Sequence, residues 1–466
     1  MIGLFVVCFG RISMRQFLII LLLAFLVGCR VYQVDVSWPE VHPLGKDLTS
    51  FYPSVHISAT DKQQKLREPK SVLTLRDVLA LSLMQNPSLK VSAWSVRTGE
   101  AKIQQASRLP NPELETEFEA FDDQTDFSHA ETPASVGGVE TAIQLRYPIE
   151  FGGKRARRQT VAELEAKLLG WDYEAKRLDI LTETTLAFID VLQAQEQVTL
   201  NEELTRLSEQ VLNMVKAKVE AGVLAYIEQV PAQIELADTQ VSLERSRYHL
   251  QVSRQVLAST WGQSTPTFGR VEGRFETILP VPAVEQLIPR ISVPELDRWQ
   301  TEIGLHQAVI HLEKSSRVPN VSIGSGIKYF KADGNVAFVS SLSLPLPLWG
   351  RNQGAILAAK YNLQKAYEER ATVEMKIHTN LSKAQSALAS AEVTVLRLKS
   401  DVLPLAKSAF ESTSEGHRIG KFTSLEVVNA QRTFFDFKRE YINALTGYHR
   451  ALAKVERLIG QPLNLQ

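Results

Sequence analysis

Four glutamates, Glu113, Glu115, Glu117 and Glu119, stand at alternate positions in the 466-residue chain, with Leu114, Thr116, Phe118 and Ala120 between them. Extended backbone puts such a run on two faces, one acidic and one mostly apolar. A row of carboxylates favours passing cations; its plainer role is to keep a wet surface wet. Catalysis finds no comparable footing. The chain has no glycine-rich phosphate loop, no His-Glu-x-x-His and no Gly-x-Ser-x-Gly turn. His306 and His311 are five residues apart, the wrong interval for one helix face, and His249, His378 and His449 stand singly. No resident metal, cofactor or catalytic residue is expected. With 52 basic and 52 acidic residues the net charge is zero, which gives no bulk attraction to nucleic acid.

The two cysteines, Cys8 and Cys29, lie at the N-terminus, so no disulfide framework or zinc site is expected beyond it. Arg11 and Arg15 precede an apolar run from Phe17 to Val27, too short to span a bilayer and suited to an export signal. Leu26-Val27-Gly28-Cys29 is similar to a lipoprotein cleavage box, which makes Cys29 the expected lipidation site. Met14 is an alternative start. No later segment has the length and apolarity of a membrane helix, so membrane residence would rest on strands or on the lipid.

The elements that must position the acids repeat. Gly222 and Gly420 are each followed by Glu six residues on, Val eight on and Ala-Gln ten and eleven on: Glu228, Val230, Ala232-Gln233 in one case and Glu426, Val428, Ala430-Gln431 in the other. The same offset of 198 relates Gly262-Gln263 to Gly460-Gln461 and Phe151-Gly152 to Trp349-Gly350. Arg108-Leu109-Pro110-Asn111 is echoed by Arg317-Val318-Pro319-Asn320 at an offset of 209, because the first strand pair has the longer loop. The chain is a tandem duplication. Its expected parts are a signal with lipobox (1–29), an extended leader (30–70), a first repeat (71–263), a linker (264–293) and a second repeat (294–462).

Each repeat reads as a helix, two strands and a long helix to the glycine tip, then a returning helix. The strands cover 113–120 and about 140–147, then 321–330 and 336–344, lengths that suit a tilted bilayer crossing. From Ala156 to Glu220 no proline interrupts the helical pattern, which implies roughly 97 Å of helix. The second long helix is expected to kink at Pro404. Two shorter helices stacked end to end match the long one, so the simplest packing is a wall with strands at one end and tips at the other. Four strands cannot close a barrel, whereas three chains would supply twelve.

This layout, with its lipobox, paired tips and Gly-Gln repeat ends, resembles the TolC-type outer-membrane efflux proteins over roughly residues 70 to 462. Arg108–Pro112 and Ile149–Arg155 resemble the CzcC-like branch serving heavy-metal pumps. The resemblance implies a mainly α fold with a β-barrel part: a homotrimer with a twelve-stranded barrel in outer-membrane lipid and a periplasmic helical tunnel. It also implies a periplasmic adaptor docked on the tips, here Gly222, Val223, Leu224 and Gly420, Lys421, Phe422, Thr423. That adaptor is bound to an inner-membrane pump of the resistance–nodulation–division kind. Glu426 then falls where the family places an acidic ring at the periplasmic entrance, with Asn429 where some relatives carry a second acid. His417 replaces an aromatic of the closed iris, which suggests closure that responds to pH, and Phe422 stands in place of an arginine. The plainer role for Glu228 and Glu426 is to favour a helix start. Other readings are a drug-efflux or type I secretion channel and, in a different class, a periplasmic coiled-coil adaptor.

Overall fold

The computed structural model describes residues 38–53, 72–120, 139–331 and 334–463. Cys29 and the expected export segment, residues 54–71, the expected first hairpin loop and Asp333 of the expected second turn lie outside them. A short strand β1 (Val72–Thr74) leads into helices α1 (Leu75–Gln85) and α2 (Pro87–Ala106). Thr74 and Asp77 cap α1 reciprocally, the Asp77 N–H donating to Thr74 Oγ1 and the Thr74 N–H to the Asp77 carboxylate. Strands β2 (Glu113–Ala120) and β3 (Val139–Ile149) follow. Helix α3 (Lys154–Glu220) has 67 residues, about 100 Å. After the first tip, a 3₁₀ turn (Tyr226–Gln229) opens helix α4 (Val230–Ser259).

The connecting segment holds strand β4 (Arg270–Glu272), parallel to β1, and the single turn α5 (Val284–Leu287). It is not a free linker. Phe268, Val271, Phe275 and Leu287 are buried with Leu73, Phe188, Trp261 and Tyr448 in the main apolar core. The second repeat then comprises helix α6 (Pro294–Ser315), strands β5 (Val321–Phe330) and β6 (Asn335–Ser343), and helices α7 (Gln353–Arg397), α8 (Leu403–Arg418) and α9 (Ser424–Ile459).

The expected kink takes the form of a π turn at Leu398–Val402 joining α7 to α8. Pro404 has no N–H to return to the Ser400 carbonyl and crowds it. Widening the preceding turn accommodates the ring.

Helix α3 packs against α2, α4, α6 and α9, and α7 against α6 and α9. One edge of the wall is therefore α2 above α4, and the other is α7 with α8. Asn86 joins the first stack. Its Oδ1 accepts from the Leu89 N–H at 3.1 Å, and its Nδ2 donates to the Thr260 carbonyl, the last turn of α4, at 2.7 Å. In the second stack the Ser292 N–H donates to the Ile459 carbonyl at 2.9 Å. Gly460 sits at φ +73°, and a Cβ there would fall on the Ser292 carbonyl; the position needs glycine for backbone and space alike. The α3–α9 seam between repeats carries polar pairs beside its apolar contacts, with Lys438–Glu203 at 2.7 Å, Arg457–Asp179 at 2.8 Å and Gln193–Asn443 at 2.9 Å.

Candidate functional site

The four long strands form one antiparallel sheet in the order β2-β3-β5-β6. Glu113 pairs with Arg146, Ile143 with Ile327 and Ile327 with Phe338. Because paired residues share a face, the register sorts the sheet into two surfaces. One carries Leu114, Phe118, Ile143, Leu145, Ile323, Ile327, Phe338 and Leu342, all exposed, and no charged residue within these strands. The other carries Glu113, Glu115, Glu117, Glu119 and Glu140 with Arg146 and Lys328. Lys328 lies 3.0 Å from Glu119 and 2.5 Å from Glu140, and Arg146 pairs with Glu115. The acidic row is thus partly neutralised by its neighbours, which the alternation in β2 alone does not reveal. Strands β2 and β6 are the sheet edges, each with an outer side that has no ladder partner among the described residues.

At the far end both glycines close their helices in the same way. Gly222 is at φ +75° and Gly420 at φ +83°. The Val223 N–H reaches the Lys218 carbonyl at 2.9 Å, and the Lys421 N–H reaches the Gly416 carbonyl at 2.8 Å. The Gly222 and Gly420 N–H groups reach Val219 and His417 at 3.0 and 3.1 Å. These are paired Schellman closures, and open space at each missing Cβ shows that the left-handed backbone sets the requirement.

Beyond that the tips differ. Thr423 caps α9 and Glu426 completes the box: its Oε2 accepts from the Thr423 N–H at 2.7 Å and from the Thr423 hydroxyl at 2.9 Å. These bonds hold the Glu426 carboxyl below the usual carboxylate range. The helix-start role therefore applies to Glu426 in full, while its Oε1 has no partner among the described residues. Asn429 is exposed one turn on. The Glu228 carboxylate takes a different place, accepting from the buried Ser424 hydroxyl at 2.8 Å, and Lys218 Nζ donates to the His417 carbonyl at 2.7 Å. The two tips are thereby bonded to each other.

His417 is 3 % exposed. Its Nδ1 meets the Phe422 carbonyl at 2.9 Å, while its Nε2 is buried without a partner among the described residues. A carbonyl only accepts, so Nδ1 carries the proton, and the ring ties the turn to the helix it left. The Phe422 ring covers Gly416, where a Cβ would strike it. In the first tip, Leu224 is half-buried in an apolar cluster with Val215, Ala232 and Val427, leaving Val223, Tyr226 and Ile227 as the exposed apolar groups. The repeated glutamines have diverged as well. Gln431 is fully buried and donates to Ser208 Oγ at 2.8 Å, whereas Gln233 is exposed.

A third cluster escaped sequence reasoning. Residues 38–53 cross α3, with Pro39 against Gly170, where a Cβ would clash. His42 Nδ1 lies 3.2 Å from Glu174 on α3, and its Nε2 lies 3.1 Å from Asp297 on α6. Arg177 donates from Nε to Glu174 Oε2 at 2.9 Å and from an NH2 group to the Leu44 carbonyl at 3.0 Å. The Leu44 N–H reaches the Gly460 carbonyl at 3.1 Å. Burial pushes the Glu174 carboxyl up, but the bonds from His42 and Arg177 outweigh it and hold it down at about 2. The leader thus staples both repeats together. The signal available in the sequence was the Glu174–Arg177 pair one turn apart; its third member is 132 residues away.

No group of three or more His, Cys, Asp or Glu side chains among the described residues is arranged to hold a metal ion, and no described helix is long and apolar enough to cross a membrane; the latter says nothing about strands.

The sequence model of the outer membrane efflux protein family matches residues 78–263 and 291–461, most of the chain and both repeats. The chain belongs to that family. The cobalt-zinc-cadmium resistance protein CzcC of Cupriavidus metallidurans is 29% identical over 426 residues, covering 90% of this chain and 99% of its own. The nickel-cobalt-cadmium resistance protein NccC of Alcaligenes xylosoxydans xylosoxydans is 23% identical, covering 72% of this chain and 74% of its own. Among solved structures, CusC superposes with a TM-score of 0.68 at 14% identity, over 89% of this chain and all of that one. The open-state MtrE channel of Neisseria gonorrhoeae gives 0.65 at 14% identity, over 92% and 99%. In this efflux fold, then, the strand end and the tip end are the two ends of one wall.

Proposed function

We propose that three copies close into an outer-membrane exit duct that passively conducts divalent metal cations delivered by a periplasmic adaptor and a resistance–nodulation–division pump. The observation that carries this is the sheet. It has one charge-free apolar face, one acidic face and two open edges, an arrangement that lipid tolerates only if the edges pair with further copies. With the apolar face to lipid, Glu113, Glu115, Glu117 and Glu119 line the lumen. Metal cargo is favoured by likeness to proteins named for cobalt, zinc, cadmium and nickel resistance; a drug or polypeptide would use the same wall. Cys29 would add a lipid anchor.

The tips would take the adaptor through Gly222, Val223, Leu224, Gly420, Lys421, Phe422 and Thr423, and the gate would lie at Glu426, His417 and Asn429. The free Oε1 of Glu426 is the group that could meet a passing cation.

Closure has a direct test. β2 and β6 are separated by β3 and β5, about 14 Å apart across the sheet, beyond the reach of a disulfide. Thr116→Cys combined in turn with Phe338→Cys, Ser340→Cys or Leu342→Cys should therefore give oxidised ladders up to trimer in outer-membrane fractions. Monomer alone in every combination would refute the closed ring.

A further inference from the structure

The junction where the strands meet the helices carries four arginines that make no ion pair among the described residues. Arg108 precedes β2, Arg155 follows β3, Arg317 precedes β5 and Arg351 follows β6, so the antiparallel order brings all four to the same end of the sheet. All four are exposed, and none makes an ion pair among the described residues. Of the acids at this level, Glu150 accepts from Arg158 at 2.9 Å and Glu313 from Asn352 Nδ2 at 2.6 Å. The Arg351 Nε–H donates to the Pro347 carbonyl at 3.2 Å, which steadies that side chain on the chain leaving β6.

Exposed apolar groups occupy the same level. Leu346, Leu348 and Trp349 follow β6, with Trp349 86% exposed. The first repeat has an exposed aromatic at the equivalent position. Phe151 is the first-repeat counterpart of Trp349; it lies beside the α6 end that touches Gly152 and is still 46% exposed.

From this juxtaposition of unpaired arginines with exposed apolar side chains at the foot of an apolar sheet face, we infer a binding surface for anionic phospholipid in the membrane leaflet nearest the helices. Guanidinium groups take the phosphate and carry its charge, while Trp349 and the leucines sit at headgroup depth. The inference rests on the sheet crossing a bilayer, as proposed above. In a closed trimer the arginines form a ring of twelve.

Spin-labelled phosphatidylglycerol and phosphatidylcholine report boundary-lipid selectivity in the reconstituted protein. Wild type should prefer the anionic lipid by about threefold or more at low salt, and added salt should reduce the preference. R108Q/R155Q/R317Q/R351Q should bring it near unity while single-channel conductance persists. Should that variant not assemble, R155Q/R351Q should show about half the effect. Equal preference in wild type and variant would overturn the inference. So would its loss on adding inorganic phosphate at matched ionic strength, which would mark a free-anion site. A wild type that prefers the anionic lipid but conducts nothing would leave this surface standing and defeat the duct.

Discussion

Arg177→Ala should free the N-terminal leader from the wall. Arg177 is fully buried, and its partner Glu174 is 2% exposed, so removing the cation strands a carboxylate out of water. Breaking a buried pair in this way costs about 3–5 kcal/mol, or roughly two to three and a half decades in a local opening equilibrium. The His42 and Leu44 amides, bonded to Glu174 and Gly460, should exchange faster by about that factor; unchanged exchange would show that the staple holds nothing.

The pH dependence follows from the same carboxylate. Its folded value of about 2 lies below its ordinary 4.5. The stabilisation is therefore complete above about 4.5 and is lost as pH falls toward 2. Pepsin should release the leader across that window in wild type. Glu174→Gln should remove the window.

Glu113, Glu115, Glu117 and Glu119 changed together to Gln should reverse the charge selectivity of the channel. In wild type the polar face sets five carboxylates, counting Glu140, against Arg146 and Lys328. In the variant Glu140 alone faces the two cations, so the net charge of that face changes sign. Reversal potentials under a potassium chloride gradient should pass from cation-preferring to anion-preferring. The apolar face is untouched, so assembly should persist. A variant that kept its cation preference would place these acids away from the conduction path.

Much of this was legible because the physics is local. Strict alternation from Glu113 to Ala120 could only be a two-faced strand, and glycine followed by a cap residue could only end one helix and start another. Duplication then supplied the order of the elements in the second repeat from that of the first. What stayed hidden depends on partners distant in sequence. Nothing near Glu119 announces Lys328, and nothing near His42 announces Glu174 and Asp297. Glu426 illustrates a different limit. Its spacing fits a gate acid and a capping box equally well; in the structure one oxygen serves the cap and the other has no partner among the described residues. At the first tip, Leu224 packs in the cluster that joins the two repeats, and Val223 keeps its exposure together with Tyr226 and Ile227.

The most direct measurement is the metal tolerance of a strain lacking this chain, with and without the wild-type copy restored. The duct proposed here predicts lower tolerance to zinc, cobalt or cadmium in the deletion, recovered by the restored copy and not by a copy with Glu426→Lys at the tip. Unchanged tolerance to every divalent metal, with tolerance to drugs alone reduced, would contradict it.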